Sequence, residues 1–278
     1  MKNKTLLLLL VPTLLLTSCS LLLGPEISEE KAGEIAQKIQ EKLDELDKTA
    51  KDVQISYSGS EGKDEEKVSD EIKYRLKIAA NQDIYYYEKS KETKNKVAAE
   101  ETFEYYQVAD EDYEEISYII YFDKELDKTV RVVYTKKDNE TYEDDVSKLV
   151  GIRAIVPLFM TSAFVDPTKV VDEFTDEDMD STVKYHSWGN KNLSIEIKTK
   201  RSDDIEEEVE EVEEVEEVEE VSIETNYTIT YDNLLFKEAT VTGKSNFGNK
   251  SNTEIKANLD GDFDINLPSD WKDYLEEA

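Results

Sequence analysis

Cysteine is nearly absent from this chain, which has a single one, Cys19, among 278 residues. One cysteine cannot close an intramolecular disulfide, so the fold depends on its hydrophobic core. Histidine is equally scarce, since His186 stands alone. This side-chain inventory offers no cluster of the nitrogen and sulfur ligands that zinc prefers, and we expect no metal site. On its own, between aromatic residues of a strand, His186 is interpreted as structural.

Glycine is also sparse, at nine residues, and no phosphate-binding loop, dinucleotide fingerprint or G-x-S-x-G motif is present. The segment from Ser181 to Lys184 matches S-x-x-K, but neither K-T-G nor S-D-N accompanies it. We therefore expect no catalytic residues and no cofactor, and predict that the protein is not an enzyme. A hydrolase with an unfamiliar site is the less favoured alternative.

Positive charge is outweighed almost twofold, with 34 Lys and Arg against 66 Asp and Glu, for a net charge of -32. Such a chain is repelled by phosphate groups, which excludes electrostatic binding to nucleic acid or to bare anionic lipid surfaces. Its complementary partner would be a basic protein or a cationic peptide. A strongly acidic surface can equally serve solubility alone.

What the chain does have is an N-terminal segment typical of an export signal. Lys2 and Lys4 precede an apolar run, and Leu16-Thr17-Ser18-Cys19 follows it directly. This segment resembles the lipobox of bacterial lipoproteins. The resemblance implies a signal peptide at 1–18, cleavage between Ser18 and Cys19, and lipid, including palmitate-type acyl chains, on Cys19. It also implies a protein anchored on the extracytoplasmic side of the cell membrane, with a short tether at 19–27.

Two alternatives to this interpretation remain open. Thr5 to Leu23 is nearly long enough for an uncleaved transmembrane anchor, although Pro12, Thr13 and Ser18 dilute its apolar character. The cysteine could also be a chance occurrence in an ordinary signal peptide. Anchoring through Cys19 requires at least two acyl chains, because one gives only marginal membrane binding.

The first element of the body is an amphipathic helix predicted over 28–50. Ser28 is suited to cap its N-terminus, and acidic residues follow in the first turn. Ile35, Ile39 and Leu43 recur at steps of four and form one apolar stripe with Leu46. Such a stripe typically packs on a sheet.

Most of the remaining chain alternates between apolar and polar residues, which predicts β-strands. The alternation predicts strands at 53–57, 72–78, 83–88, 102–108, 114–122, 129–135, 182–188, 193–199, 221–231, 234–243 and 253–266. An apolar stretch at 146–159 predicts a buried helix that ends or kinks near Pro157, and Asp166-Pro167 marks a second helix start. A short closing helix is predicted at 269–277.

This order of elements predicts an α+β fold. An N-terminal amphipathic helix and a large, curved, half-barrel-like antiparallel sheet of about eleven strands form a single β-rich domain at 28–278, with a helical segment in the middle of the chain. A Glu-rich low-complexity insertion at 203–220 interrupts it. There, Glu206 and five Glu-Glu-Val triplets place 11 glutamates in 16 residues, a spacing that forms no apolar stripe. We expect a solvated insertion.

Two groups of alternating acids invite comparison with calcium loops. Asp260, Asp262 and Asp264 lack the glycine and glutamate that an EF-hand requires at its sixth and twelfth positions. The apolar residues between them keep strict alternation, so the acids are predicted on the solvated face of a strand. Asp176, Asp178 and Asp180 lack the same residues, so no metal site is predicted there either.

The element order resembles the LolA and LppX/LprG-like envelope proteins, in which a curved antiparallel sheet encloses an apolar cavity. That resemblance implies a non-enzymatic carrier of a lipid or hydrophobic ligand, with the 146–159 helix as a plug. The predicted cavity lining is Ile72, Tyr74, Leu76, Ile116, Ile120, Val132, Ile229 and Phe263. The same residues would equally form a filled core. The competing class is an acidic surface protein without a cavity that binds a cationic partner.

Overall fold

The computed structural model describes residues 23–46, 49–61, 68–94, 97–137, 142–151, 153, 156–176, 179–203 and 221–275. The predicted signal peptide, the lipobox-like segment with Cys19 and the 206–220 part of the Glu-rich repeat lie outside these residues. The strands of the described chain are β1 (Glu26–Ile27), β2 (Ala50–Glu61), β3 (Val68–Ile78), β4 (Ile84–Lys94), β5 (Val97–Asp110), β6 (Glu114–Asp123), β7 (Lys128–Thr135), β8 (Asp180–His186), β9 (Leu193–Asp203), β10 (Val221–Asp232), β11 (Leu235–Ser245) and β12 (Lys250–Gly261). Its helices are α1 (Glu29–Leu43), α2 (Tyr142–Val150), α3 (Val156–Val165) and α4 (Val170–Phe174), followed by a 3-10 turn at Trp271–Tyr274.

All twelve strands of the described chain form one sheet, in the order β1-β8-β9-β10-β11-β12-β2-β3-β4-β5-β6-β7, and each neighbouring pair is antiparallel. The sheet does not close, because β1 and β7 are its two edges. The predicted large antiparallel sheet with few helices is therefore confirmed. It contains one more strand than the alternation predicted, because the two-residue β1 is too short to show a period.

The two faces of the sheet differ in what covers them. The inner face carries Ile55 and Ile229, and α1 packs against it through Ile35 and Ile39, which are fully buried. Phe164 of α3 and Val170 of α4 join the same core. The opposite, outer face is solvated over most of β8–β12 and β2, whose side chains there are mainly Ser, Thr, Asn, Lys and Glu. The inner face is thus the one that the helices cover.

Helix α1 begins with the cap and the acidic first turn that its sequence predicts. The hydroxyl of Ser28 accepts a hydrogen bond from Lys31 N at 3.3 Å, and Glu29 and Glu30 occupy the first turn. The helix ends at Leu43, earlier than the predicted residue 50, because Leu46 and Thr49 continue in turns. Ala50 already begins β2.

The middle of the chain differs most from its prediction. The expected single helix at 146–159 is two helices, α2 and α3, with Gly151 at a φ of 51° after the first. Glycine is favoured in this left-handed conformation, which ends helices. Pro157 lies in the first turn of α3, where a missing backbone N–H costs nothing, so it starts a helix and does not break one.

Two smaller expectations are also corrected at the C-terminus. The last predicted strand, 253–266, ends at Gly261, although Asp260, Asp262 and Asp264 are exposed as expected. The predicted closing helix at 269–277 is a single 3-10 turn. That turn packs on the outer face of β6 and β7, where Trp271 and Tyr274 cover Tyr118 and Val133.

Candidate functional site

Five of the eight predicted lining residues share the inner face. Tyr74 lies opposite Ile55, Leu76 opposite Tyr86, and Ile72 two residues further along β3. Val132 lies opposite Ile119, and Ile229 lies between Ile195 and Ala239. Leu76 and Ile229 are buried, and Tyr74 contacts the core clusters around both. Their role as a ligand lining stays a prediction.

The other three do not join them, and the expectation of one shared face is wrong for these positions. Ile116 and Ile120 point to the outer face, where they pack with Tyr118 under the C-terminal segment. Phe263 lies beyond the end of β12, with its ring 5.2 Å from Lys77 Nζ on the outer side. Strand β6 carries apolar residues on both faces, so alternation alone cannot tell which of its faces is the inner one.

A cavity of about 500 Å³ opens on the inner face between α4 and the ends of β9 and β10. Its apolar part comes from Phe174, Ile223, Tyr227 and Met179. Ile223 is 43% exposed, which makes it one of few large apolar side chains on the described surface with such exposure. This volume lies in the range of small-molecule sites, which favour the mouths of curved sheets. We call this cavity the mouth.

A row of three aromatic rings connects the mouth to the core. Phe174 stacks on Tyr227 at a centroid distance of 4.7 Å and on Phe164 at 4.8 Å. The Tyr231 hydroxyl donates to the carbonyl of Phe164 at 2.7 Å and so ties α3 to β10. An apolar ligand at the mouth would therefore continue along rings that already pack against the buried inner face.

The rim of the mouth is polar. Asp172, Glu173 and Asp176 border it from the α4 side, and Arg201 borders it from β9. Burial raises the pKa of the Tyr227 hydroxyl, so this group stays a neutral hydrogen-bond donor at ordinary pH. Most of the exposed lining is therefore polar, and the apolar wall of Phe174, Met179, Ile223 and Tyr227 makes the cavity amphipathic.

A second polar group lies on the inner face of β4. The Tyr86 hydroxyl donates to Glu88 Oε2 at 3.0 Å, and Arg153 Nε lies 3.9 Å from the same oxygen. Burial and the Glu88 carboxylate raise the pKa of Tyr86 and of Tyr74. Arg153 also lies over the Phe103 ring, 4.9 Å from its centroid. These groups bond to one another beside the buried core around Leu76.

Two further cavities lie on the outer face. One, of about 500 Å³, is bordered mainly by small or polar residues of β2, β10, β11 and β12, and the other, of about 430 Å³, by residues of β8, β9 and β10. Asn226 borders both. None of the eight predicted lining residues borders these two cavities or the mouth.

The remaining residues singled out in the sequence have other surroundings. Ser181 and Lys184 lie on opposite faces of β8, so the S-x-x-K match brings no hydroxyl to an amine. His186 is buried, with Nδ1 3.2 Å from Gly24 O and Nε2 3.1 Å from Glu196 Oε2. It therefore holds the N-terminal segment against β8, which agrees with a structural role.

Within the described ranges, no group of three or more His, Cys, Asp or Glu side chains is arranged to hold a metal ion. No helix in the same part of the chain has the length and apolar character needed to cross a membrane.

Comparison with known proteins gives a weak structural similarity. No family model matches the chain, and no curated protein matches it either. Among solved structures, the chain is similar to an outer membrane lipoprotein-sorting protein domain from Vibrio parahaemolyticus. The two are 7% identical, the match covers 87% of this chain and 97% of that one, and the TM-score is 0.21.

Sequence reasoning identified parts of the mouth without assembling it. The strand predicted at 221–231 contains Ile223 and Tyr227, and the helix start predicted at Asp166-Pro167 precedes Phe174. They come together because α4 packs over β10, where Phe174 stacks on Tyr227. No local pattern in the sequence encodes that packing. An informative signal was Ile223 itself, an apolar residue close to the acidic repeat.

Proposed function

We propose that this protein is a lipid-anchored bacterial lipoprotein on the extracytoplasmic side of the cell membrane, which binds an acyl-chain-bearing molecule without catalysing a reaction. The observation that carries the binding part is the mouth, an inner-face cavity of about 500 Å³ with an exposed Ile223. The anchor rests on the lipobox-like sequence that ends at Cys19.

Helix α3 supports the same proposal. Its sequence, VPLFMTSAFV, has no charged residue, yet Met160, Ala163 and Val165 are only half-buried. A helix that is apolar on all sides is normally buried on all sides. Here it lies across β2, β3 and β11. An acyl chain that entered from the mouth would cover apolar surface that α3 and the inner face otherwise leave partly open.

Binding is tested with a fluorescent fatty acid titrated into the chain from residue 20 onward, which contains every described residue. The informative variant is Ile223→Arg, and its matched control is Ser222→Arg, the neighbouring position on the outer face. We expect saturable binding by the unchanged protein and by Ser222→Arg, and about tenfold weaker binding by Ile223→Arg, which corresponds to about 1.4 kcal/mol.

Two results would contradict this proposal: no saturable binding by the unchanged chain, or equal affinity in the two variants. A salt series separates it from the competing function. Binding of a cationic partner to the acidic surface fades as ionic strength rises, whereas binding of an acyl chain persists.

Lipid attachment is tested separately in cells supplied with an alkyne-labelled fatty acid. The full chain should incorporate the label and remain in the membrane fraction, and Cys19→Ala should lose the label. A labelled Cys19→Ala protein would show that another residue carries the lipid.

A further inference from the structure

The loop after β8 places an exposed tryptophan beside the point where the N-terminal tether joins the body. Trp188 is 56% exposed, and it is the one aromatic side chain among the large exposed apolar residues of the described chain. Gly24, five residues after Cys19, is buried against Ser187 and Trp188. The exposed ring and the root of the tether are therefore neighbours.

The tether is held firmly at this place. Ser187 N donates to the carbonyl of Pro25 at 3.1 Å, and His186 Nδ1 contacts the carbonyl of Gly24 at 3.2 Å. Gly24 has a φ of 96°, and a Cβ there would lie 2.8 Å from Ser187 C and 2.9 Å from Trp188 Cδ1. Only glycine fits this approach, so the tether must leave the body next to Trp188.

The reach of the tether limits how far Trp188 can be from the bilayer. Gly24 lies five positions after Cys19, and a fully extended chain spans at most about 18 Å over five residue steps. Leu21, Leu22 and Leu23 occupy three of those positions. Apolar residues favour the membrane interface over extension through water, which shortens the distance further.

Charge distribution favours the same orientation. Asp203 and Val221, the residues between which the Glu-rich repeat is inserted, are paired at the opposite end of β9 and β10 from the Trp188 loop. β9 has 11 residues, so that end lies about 36 Å away along the strand. The segment with the most acidic composition thus begins and ends far from the tether, where it is least repelled by anionic headgroups.

We infer that Trp188 and the loop that carries it form a membrane-contact surface that inserts at the lipid–water interface beside the acylated Cys19. The inference rests on the proposed lipid attachment. Tryptophan suits this position because its ring is apolar and its indole N–H can bond to the headgroup region. The contact fixes the orientation of the body, so that the mouth, at the Arg201 and Ile223 end of the strands, faces away from the bilayer.

The test uses the full acylated protein in phosphatidylcholine vesicles whose acyl chains are brominated near the glycerol end. Trp188 is observed alone in the Trp271→Phe variant, since the chain has two tryptophans. We expect its emission to shift to shorter wavelength and to be largely quenched by the brominated lipid. The matched control carries Trp188→Phe, Trp271→Phe and Val97→Trp, which moves the only tryptophan to a 71% exposed position at the start of β5.

The control tryptophan should be neither shifted nor quenched, because Val97 lies at the end of the strands far from the tether. Flotation of the vesicles separates the two premises. A protein that does not float with the vesicles lacks the anchor, which overturns the lipid attachment and the contact together. If the protein floats with the vesicles but the brominated lipid does not quench Trp188, or quenches both tryptophan positions equally, the lipid attachment stands and the proposed membrane contact is wrong.

Discussion

The two halves of the sheet are built differently. In the first half, β8–β12 with β1 and β2, the inner face is covered by α1, α3 and α4 and the outer face is solvated. In the second half, β3–β7, apolar residues pack on both faces, with Leu76 and Ile119 inside and Ile116 and Tyr118 outside. The mouth and the Trp188 loop both belong to the first half.

This difference separates stability from binding. A strand packed on both faces has no surface to offer a ligand, but it buries more apolar area per residue. The first half keeps one face for helices that contact it over short stretches, and there the cavity and the exposed Ile223 occur. We therefore expect substitutions in the second half to change stability, and substitutions at the mouth to change binding.

The same substitution, isoleucine to alanine, distinguishes the two halves of the sheet. Ile119→Ala removes a fully buried side chain from the second half and should lower the free energy of unfolding by about 3 kcal/mol. Ile223→Ala removes a half-exposed one at the mouth and should change that free energy by less than about 0.5 kcal/mol while weakening binding of the fatty-acid probe. Urea unfolding and probe titration measure the two effects. An equal loss of stability in both variants would contradict this difference between the two halves.

Alkaline pH should act mainly on the second half, where burial raises the pKa of Tyr105 to about 12. An unfolded tyrosine ionises near pH 10, so the folded chain holds this proton longer. The contribution of this proton to the free energy of unfolding is complete below about pH 10 and is lost as pH rises to about 12. At pH 11 the loss is about 1 kcal/mol.

Tyr105→Phe should therefore lose less stability than the unchanged chain between pH 9 and pH 11, values that bracket the ordinary tyrosine pKa of about 10. At pH 8 the variant should be weaker, because it lacks the hydroxyl that donates to Gln107 Oε1 at 2.8 Å. Urea midpoints at each pH give the result, and parallel pH profiles would contradict it.

The seam between the halves is fastened by Arg75 of β3 and Asp52 of β2. The guanidinium donates from Nε to Oδ1 at 3.1 Å and from Nη2 to Oδ2 at 2.7 Å, and this hydrogen bonding raises the pKa of Arg75. Asp52→Ala should cost about 1 kcal/mol because the pair is bidentate and its carboxylate is largely buried. Glu254→Ala, which removes an exposed pair with Lys256, is the control, and it should change the urea midpoint little.

The smallest expected effect is at the start of α1. Ser28→Ala removes the side-chain cap on Lys31 N and should lower the free energy of unfolding by about 0.5–1 kcal/mol. Ser28→Asp keeps an acceptor at the same position and should restore it. Thermal unfolding of the two variants checks this, and a Ser28→Asp protein no more stable than Ser28→Ala would show that the cap contributes nothing.

Much of the fold follows from local patterns in the sequence, because alternation and caps are short-range. The strands after Pro167 begin and end within four residues or fewer of their predicted bounds, except for the end of β12, where irregular chain keeps the same alternation of exposure. What local patterns could not supply was which face of a two-sided strand points inward. Ile116 and Ile119 are equally apolar, and only the position of α2 and of the Trp271 turn distinguishes their sides.

The mouth could not be predicted from the sequence for a related reason. Most of its residues come from α4, β9 and β10, and their proximity depends on the packing of α4 over these two strands. The site of tether attachment likewise depends on β1, whose two residues pair with Tyr185 and His186 far along the chain. Such contacts join residues that are far apart in the chain, so neither the periodicity nor the composition of the sequence indicates them.

Native mass spectrometry of the chain from residue 20 onward, purified from bacteria without detergent, tests directly whether the inner face holds an acyl-chain-bearing molecule. We expect part of the unchanged protein and of Ser222→Arg to carry the added mass of one such molecule, and Ile223→Arg to carry none. Bare protein mass in all three, or the same added mass in Ile223→Arg, would contradict a ligand held on the inner face through the mouth.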